Sequence, residues 1–404
     1  MAENREKLVP KIRFRGFTDA WVQCKLGEIA NVFDGVHQTP KYSDSGIKFV
    51  SVENIRNLTG TNKFISVEDY NSQFNNKAEI GDIFMTRITA GIIGETAIVE
   101  IDEDFAYYVS LALIKLRDEM SSEFINYCIN ANSFKNELNK RIIHTAFPKK
   151  INLNEIGKCR VIYPSAIEQQ KIGSFFCTLD KAIALYKRKL EGLKQLKKAY
   201  LQQMLPQAGE TAPKVRFNGF IVDWQRKSAR EIFCTVSDKE HSHLPVLSAS
   251  QEYGMILRDE IGIDIKFDIA NTSTYKRVLP GQFVIHLRSF QGGLAYSSLE
   301  GITSPAYTIL DFAVKESHMP IFWVNILKSE RFIKMLETVT YGIRDGRSIS
   351  FNDFSALLLS YPTYDEQATI GKFFRLLDGN ISELQSKLNR LSLLKTTYLT
   401  KMFV

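Results

Sequence analysis

The sequence predicts an α+β fold that is built twice, with a β-rich globular segment followed by one long helix in each half. Two repeats within the 404 residues support this prediction. An opening signature at residues 10–17, PKIRFRGF, returns as PKVRFNGF at residues 213–220, and a tryptophan follows each copy. A heptad pattern that begins at Ile172 returns at Ile370.

The two long helices are predicted from apolar residues that recur at steps of four and three. The seam of the first helix contains Ile172, Phe176, Leu179, Ile183, Tyr186, Leu190, Leu193, Lys197, Tyr200 and Met204. The seam of the second contains Ile370, Phe374, Leu377, Ile381, Leu384, Leu388, Leu391, Lys395, Tyr398 and Met402. One lysine interrupts each seam at the equivalent place, which is typical of a position that fixes the register of a coiled coil.

Each helix needs a partner to cover its apolar seam, and the other long helix of the same chain is the simplest candidate. We expect the two to pack antiparallel as a coiled-coil spacer, which gives pseudo-twofold symmetry and brings the two ends of the chain together. Lys197 and Lys395 then lie towards opposite ends, whereas in a parallel pair they face one another. The heptads alone leave packing against helices of another protein open.

Changes of pattern divide the chain into five predicted segments. They are a globular domain at 10–163, a helix at 164–205, a linker at 206–212, a second globular domain at 213–361 and a helix at 362–404. Within the first domain, β-like runs predict strands at Ile47–Val52, Asp82–Ile88, Ala97–Ile101, Ser110–Leu116 and Lys158–Tyr163. Amphipathic stripes predict one helix at Glu123–Arg141 and its counterpart at Ile321–Val339. Each long helix starts with Ser or Thr followed three residues later by Glu, which predicts a capping box.

Composition and missing motifs argue against several classes of protein. The net charge of +7 is compatible with an anionic partner but specifies none. The five cysteines are scattered and never in CxxC spacing, which favours a reducing cytoplasm over a disulfide framework or a zinc site. No apolar run is long enough to predict a membrane span. No nucleotide-binding, zinc-protease or serine-hydrolase motif occurs, and His241 with His243 is more typical of loop hydrogen bonding than of a metal site.

The doubled frame resembles the specificity (S) subunit of type I restriction–modification systems. One part of the resemblance is the opening Arg13-Phe14-x-Gly16-Phe17 with Trp21, and its copy from Arg216 to Trp224. The other part is the start of each long helix, Pro164…Glu168-Gln169…Ile172-Gly173…Phe176 and Pro362…Glu366-Gln367…Ile370-Gly371…Phe374. Together these residues extend the resemblance over nearly the whole chain.

The resemblance implies a non-enzymatic subunit for host defence in the cytoplasm. Each globular segment is then a target recognition domain for double-stranded DNA, and the helical spacer sets the gap between two half-sites of a bipartite target. Adenine methylation and DNA cleavage belong to partner methyltransferase (M) and restriction/translocase (R) subunits. Those partners use S-adenosylmethionine, ATP and Mg²⁺, while this chain is expected to bind no cofactor and no metal.

Contacts to bases and phosphates are predicted on polar loops. In the first domain the candidates are Gln38, Lys41, Tyr42, Arg87, Thr89, Lys149 and Lys150. In the second they are Ser248, Gln251, Arg288, Ser289, Gln291, Arg344 and Arg347, with Arg288 expected at the place equivalent to Arg87. The opening signatures are too alike to read different sequences, so we expect them to pack where domain and helix join.

Two other hypotheses stay open on the sequence. The chain is a self-contained endonuclease or methyltransferase with a degenerate site, or a scaffold whose twin domains bind only proteins. The lysine-rich face of the first helix, from Lys181 to Lys198, is typical of a solvated surface, and it also fits phosphates or an acidic partner.

Overall fold

The computed structural model describes residues 8–206, 210–261, 269–340 and 349–403. The chain forms two compact units, Met1–Lys187 with Ser386–Val404, and Arg188–Gln385. These units group the residues differently from the five predicted segments, because each long helix contributes one part to each unit. Both units mix strands and helices, as the predicted α+β class requires.

The first globular region contains eleven short strands and five short helices. The strands are β1 Val22–Lys25, β2 Ala30–Asp34, β3 Ile47–Val50, β4 Phe64–Ile65, β5 Ile83–Thr86, β6 Ile88–Thr89, β7 Thr96–Ile98, β8 Phe105–Tyr107, β9 Leu111–Leu116, β10 Lys149–Lys150 and β11 Arg160–Tyr163. The helices are α1 Leu26–Ile29, α2 Val67–Gln73, α3 Ser122–Asn130, α4 Asn132–Asn139 and α5 Leu153–Gly157. The first long helix, α6, then spans Ala166–Gln203.

The second globular region repeats this frame. Its strands are β12 Gln225–Ser228, β13 Phe233–Val236, β14 Leu247–Ser250, β15 Gly254–Leu257, β16 Lys276–Val278, β17 Phe283–Ile285, β18 Ala295–Tyr296, β19 Gly301–Thr303, β20 Thr308–Phe312 and β21 Leu358–Tyr361. Its helices are α7 Ala229–Ile232, α8 Ser289–Gly292, α9 Pro320–Ile326, α10 Glu330–Thr338 and α11 Phe351–Ser355, and the second long helix, α12, spans Tyr364–Met402.

A four-stranded antiparallel sheet lies at the centre of each unit. Its strand order is β2-β9-β5-β7 in the first unit and β13-β20-β17-β18 in the second. Side chains alternate between two apolar cores on opposite faces of this sheet, since Ile83 and Met85 join one core and Phe84 joins the other. Because apolar cores cover both faces of the sheet, consecutive residues of β5 are apolar and do not alternate with polar ones.

The long helices pack antiparallel inside each unit, which confirms the sequence prediction. In the first unit the Phe175 ring lies 5.3 Å from the Tyr398 ring, and the Lys395 ammonium lies 2.6 Å from Asp180. Residues further along α6 therefore contact residues that come earlier in α12. In the second unit Tyr200 contacts Phe373 at 5.2 Å, and the Lys197 ammonium lies 2.5 Å from Asp378. The two seam lysines each pair with an aspartate, so they do not face one another.

The two ends of the chain meet, as the antiparallel arrangement requires. The backbone N–H of Ile12 donates to the carbonyl of Lys401 at 3.1 Å. The second unit makes the same bond between Val215 and Gln203, at 3.0 Å. The segment that follows each opening signature's proline is therefore tied to the end of a long helix.

The helix predicted at Glu123–Arg141 is wrong as a single element. The structure has α3 and α4 with extended backbone at Ala131, whose φ is −74° and ψ is 155°. The counterpart is also two helices, and Ser329 caps the second of them by accepting from the backbone N–H of Phe332. The break lets Phe134 and Phe332, one in each unit, enter their cores, where both are buried.

Candidate nucleic-acid interface

The opening signatures serve the frame rather than recognition. Both carboxylate oxygens of Glu168, at the start of α6, accept hydrogen bonds from Arg13 at 2.7 Å. Glu366 accepts the same pair of bonds from Arg216, again at 2.7 Å. The prediction that these glutamates form capping boxes at the start of the long helices is therefore wrong. Each glutamate carboxylate binds the arginine of an opening signature instead. The expectation that the signatures pack where domain and helix join is confirmed.

Three of the predicted contact residues come together on a two-stranded ladder in the first domain. Lys149 pairs with Thr89, and Lys150 pairs with Ile88, in the antiparallel register of β10 and β6. Both lysines are exposed, and neither forms an ion pair with any described residue. The Lys149 ammonium group therefore lies on the same face of the ladder as the Thr89 hydroxyl, and the Lys150 ammonium group lies on the other face. Both ammonium groups suit phosphate oxygens.

Arg87 does not belong to this exposed group, which corrects the sequence prediction. The residue is only 7% exposed. Its side chain donates to the Asp34 carboxylate at 3.2 Å and to the carbonyls of Val109 at 3.0 Å and Ile151 at 3.3 Å. Burial lowers the pKa of Arg87, although the carboxylate of Asp34 acts in the opposite direction. Arg87 is therefore a positioning residue that holds the chain just after β10.

Gln38, Lys41 and Tyr42 lie on an exposed loop whose two ends are fixed. An isolated bridge from Val36 to Tyr108 fixes its start, and a bridge from Ser43 to Phe64 fixes its end. All three predicted residues are exposed, and the Tyr42 ring packs edge-on against Phe49 at 5.7 Å. The loop thus offers an amide, an ammonium and a phenol at its surface on a restrained backbone.

In the second domain the structure joins two of the predicted glutamines. The side-chain amide of Gln251 donates to the carbonyl oxygen of Gln291 at 3.1 Å. Arg288 is exposed just before α8 and leads directly into the turn that carries Gln291. Amide and guanidinium groups are those that read adenine and guanine edges, so this surface fits base recognition.

Two serines of the predicted set are interior, which again corrects the prediction. The Ser289 hydroxyl is fully buried and accepts from the backbone N–H of His286 at 2.9 Å. The Ser248 hydroxyl is buried too and accepts from the Nε of Arg258 at 3.1 Å. Both hydroxyls satisfy protein donors and cannot reach a groove of DNA. Arg344 and Arg347 lie outside the described residues.

Arg87 and Arg288 are also not equivalent, contrary to the prediction. The strands that precede them align from Gly81 and Gly281, which share a positive φ of 92° and 95°. In this alignment Leu287 is equivalent to Arg87, and Arg288 is one residue further along the chain. Arg87 has an interior carboxylate and two carbonyls to bind, whereas Arg288 is exposed, so the two guanidinium groups have different roles.

Sequence reasoning missed a cationic groove in the second unit. It has a volume of about 1460 Å³, and eight cationic side chains line it against two acidic ones. The cations are Lys194, Lys197, Lys198, Lys214, Arg226, Lys328, Arg331 and Lys334. Part of the lysine-rich face of α6 therefore belongs to a defined concave surface. The lysine run of α6 was visible in the sequence. The other cations gave no signal, because they come from separate places: Lys214, Arg226 on β12, Lys328, and Arg331 and Lys334 on α10.

Several cations in the groove have no acidic partner. Lys197 pairs with Asp378, and Lys198 lies 2.9 Å from Glu330, but Arg226 and Arg331 form no ion pair among the described residues. Burial, followed by repulsion from Arg226, lowers the pKa of Arg331, although the carboxylate of Glu210 acts in the opposite direction. The groove therefore has an excess of positive charge that an anionic partner would relieve.

The equivalent place in the first unit is small and carries fewer charges, since its charged lining residues are Lys140, Arg160 and Glu137. Its cavity is only about 270 Å³, and Gln23, Ser133 and Asn136 line it where the second unit has arginine or lysine. Glu137 there accepts hydrogen bonds from Arg160 and Arg141, both at 3.0 Å. Hydrogen bonding to Arg160 and neighbouring cations lowers the pKa of Glu137 to about 2. The cationic groove is thus specific to the second unit and not a property of the shared frame.

Neither a metal site nor a membrane-spanning helix is found in the described ranges. No group of three or more His, Cys, Asp or Glu residues there has the geometry to hold a metal ion. The Nε2 atom of His241 lies 2.8 Å from the carboxylate of Asp238. Within the same ranges, no helix combines the length and apolarity needed to cross a bilayer.

The chain is similar to known proteins in sequence over one part and in fold over nearly all of it. The family described as Type I restriction modification DNA specificity domain matches residues 18–195. A crystal structure of the S subunit of a type I restriction–modification system from M. genitalium matches with a TM-score of 0.61 at 14% identity, over 98% of this chain and 99% of that one. The HsdS subunit from Thermoanaerobacter tengcongensis matches with a TM-score of 0.45 at 16% identity, over 100% and 99%. No curated protein sequence matches.

Proposed function

We propose that the chain is the DNA-sequence-specificity subunit of a type I restriction–modification complex, and the match of residues 18–195 to the family described as Type I restriction modification DNA specificity domain supports this. Each of its two globular domains binds one half of a bipartite target in double-stranded DNA. The long helices act as the spacer that sets the gap between the half-sites. The chain is not itself an enzyme. Partner M and R subunits supply methylation and cleavage, together with their S-adenosylmethionine, ATP and Mg²⁺.

The observation that carries this proposal is a repeated frame with different exposed loops. Both units have the same strand order, the same arginine–glutamate clamp and the same antiparallel helix contacts. The polar groups that these frames present differ, with the half-buried Thr89 and the exposed Lys149 in the first and the exposed Gln251 and Gln291 in the second. Since recognition usually resides in loops on a rigid scaffold, two such domains fit two different half-sites.

The proposed contact residues are the exposed members of the predicted set, together with the half-buried Thr89. In the first domain Lys149 and Lys150 bind phosphates, and the others that approach DNA are Gln38, Lys41, Tyr42 and Thr89. In the second domain Gln251 and Gln291 read base edges, with Arg288 beside them. Arg344 and Arg347 remain predicted contacts outside the described residues. Arg87, Ser248 and Ser289 are removed from the set because they bind protein groups in the interior.

We assign the cationic groove to an acidic surface of a partner subunit rather than to DNA. Its floor contains apolar side chains, among them Leu201, Met335 and Leu357. Phosphate contacts need no apolar floor, whereas an amphipathic acidic segment of a protein uses both features.

A methylation map tests the proposal. Cells that express this chain with its M partner should show one bipartite methylated sequence. Exchange of residues 22–163 for another recognition domain should change one half-site and leave the other intact. A change in both half-sites, or in neither, would refute the assignment of one domain to each half-site. Four residues inserted within α6 should alter the gap without altering either half-site.

Two measurements separate this function from the alternatives. The purified chain, incubated with DNA, Mg²⁺, ATP and S-adenosylmethionine, should show no turnover, whereas a self-contained endonuclease or methyltransferase would. The substitution Lys149→Gln with Lys150→Gln should weaken DNA binding by the complex on all sequences and reduce the salt slope by about two. Lys158→Gln, a lysine bound to Glu155 at 2.6 Å, is the matched control and should leave the slope unchanged. A scaffold that binds only proteins would show no such slope for either variant.

A further inference from the structure

Phe147 is the most exposed large apolar side chain among the described residues, at 94% exposure. It lies at the tip of the loop between α4 and β10, with His144 before it and Lys149 after it. A single exposed apolar side chain is ordinary on a protein surface. What sets Phe147 apart is the loop that presents it and the charges that flank it.

The loop is anchored on both sides of the ring. The backbone N–H of Ile143 donates to the carbonyl of Lys150 at 2.8 Å, which closes the loop. The N–H of Ile151 donates to the carbonyl of Arg87 at 2.9 Å, and the Arg87 side chain donates back to the carbonyl of Ile151. The ring is therefore held away from the domain on a fixed base, so little conformational entropy is lost when it binds a ligand.

Two unpaired cations stand next to the ring. Lys149 and Lys150 are neighbours on a strand, so their side chains leave it on opposite faces. Neither makes an ion pair with a described residue, and both are exposed. One ammonium group therefore lies on each face of β10, the strand that follows the ring. If the ring inserts into DNA, the two ammonium groups can bind phosphates on both sides of it.

We propose that Phe147 is a wedge that inserts between adjacent base pairs of the half-site bound by the first domain, while Lys149 and Lys150 bind the flanking phosphates. This inference rests on the proposed function. Aromatic and aliphatic side chains are used in this way by proteins that unstack and kink DNA. Pyrimidine–purine steps unstack most easily, so the half-site contains such a step, CA/TG or TA, where the ring enters.

A protein partner fits this tip less well than DNA does. The buried centre of a protein interface is depleted in lysine, and its aromatic residues are surrounded by other apolar side chains. Here the ring is next to two lysines without partners, and Thr145 and His144 on its other side are exposed and polar. An aromatic ring beside two lysines can contact the stacked bases of DNA while the lysines bind its phosphates.

The test uses the complex with its M partner and duplex DNA that carries its methylated sequence, with 2-aminopurine placed at each position in turn. Wild-type complex should raise 2-aminopurine fluorescence at one pyrimidine–purine step of the first half-site. Phe147→Ala should abolish that rise and weaken specific binding about tenfold, or about 1.4 kcal/mol. Phe147→Trp should retain both. Ile221→Ala removes an 88% exposed side chain in the second unit and should change neither, which makes it the matched control.

The outcomes distinguish failure of the wedge from failure of the proposed function. If wild-type complex binds no DNA sequence selectively, the specificity function is wrong. If it binds selectively and Phe147→Ala binds equally well with the same fluorescence pattern, the wedge is wrong. If Phe147→Ala keeps DNA binding but loses association with the M partner, the ring contacts a protein and the wedge is equally refuted. Circular dichroism of each variant checks that the fold is unchanged.

Discussion

Substitution of Arg13 by alanine tests whether the signature holds the first unit together. The Glu168 side chain is fully buried, and both of its oxygens accept from this one guanidinium group. Removal of the arginine leaves a buried carboxylate without its cation. Breaking a buried pair in this way typically costs about 3–5 kcal/mol. Since single domains are stable by only about 5–15 kcal/mol, the first unit should become marginal.

Two matched variants separate the lost ion pair from simple loss of a side chain. Arg216→Ala removes the equivalent arginine from Glu366 and should destabilise the second unit by a similar amount. Arg13→Met combined with Glu168→Leu replaces both charges by apolar groups of similar size. Because no uncompensated charge remains, this double variant should be more stable than Arg13→Ala alone.

Urea-dependent amide hydrogen exchange read by mass spectrometry is the appropriate assay. It follows each unit separately, whereas a single optical transition assumes that the whole chain unfolds as one. Peptides from residues 166–187 report on the first unit, and peptides from 364–385 report on the second. The reasoning is refuted if Arg13→Ala costs less than about 1 kcal/mol, or if the double variant is as unstable as the single one.

Two further predictions concern charge in the second unit. Burial lowers the pKa of both His286 and His318 to about 4, so between about pH 6.5 and pH 4 the unfolded chain binds more protons and stability falls as the pH falls. Each should cost about 2 kcal/mol between pH 7 and pH 5, and His318→Phe should remove about half of that loss in exchange measurements; a flat pH profile would contradict this. Changing Arg226 to Gln, Arg331 to Ser and Lys334 to Asn installs the residues of the first unit. It should weaken co-purification with the M subunit and leave both methylated half-sites unchanged. A smaller salt slope of DNA binding would instead assign the groove to DNA.

The helices and the repeat were predictable because their signals are local. A heptad seam needs only regular spacing along the chain, and the structure buries Ile172, Phe176 and Leu190 as that spacing requires. The antiparallel pairing followed from the two matched seams. The aspartates that pair with the seam lysines, Asp180 and Asp378, were not predicted, because nothing in their own sequence positions identifies a partner on the other helix.

The contact residues were predicted less well because exposure depends on distant parts of the chain. Arg87 follows a strand and precedes a loop, which is typical of a surface residue, yet Asp34 and the carbonyls of Val109 and Ile151 enclose it. Ser289 lies in a polar stretch but is fully buried under the turn that it stabilises. The carbonyls and the carboxylate that enclose Arg87 are far away in sequence, so spacing does not reveal them. The partner of the Ser289 hydroxyl, His286, is only three residues away, but α8 packs against the distant α10.

The enclosure of Arg87 also determines how recognition can be transferred between proteins of this kind. Its side chain ties Asp34, Val109 and Ile151 to one guanidinium group, so the loop that carries Phe147 depends on three distant segments. A graft of residues 143–151 alone into another domain would carry Ile151 but leave Arg87, Asp34 and Val109 behind, so the grafted loop would lose its anchor. We therefore expect such a graft to lose DNA binding, whereas exchange of residues 22–163 as a block keeps every partner and transfers the half-site. Methylation maps of the two constructions in the same M complex decide the point, because a loop graft that moved the half-site would show that the anchor is dispensable.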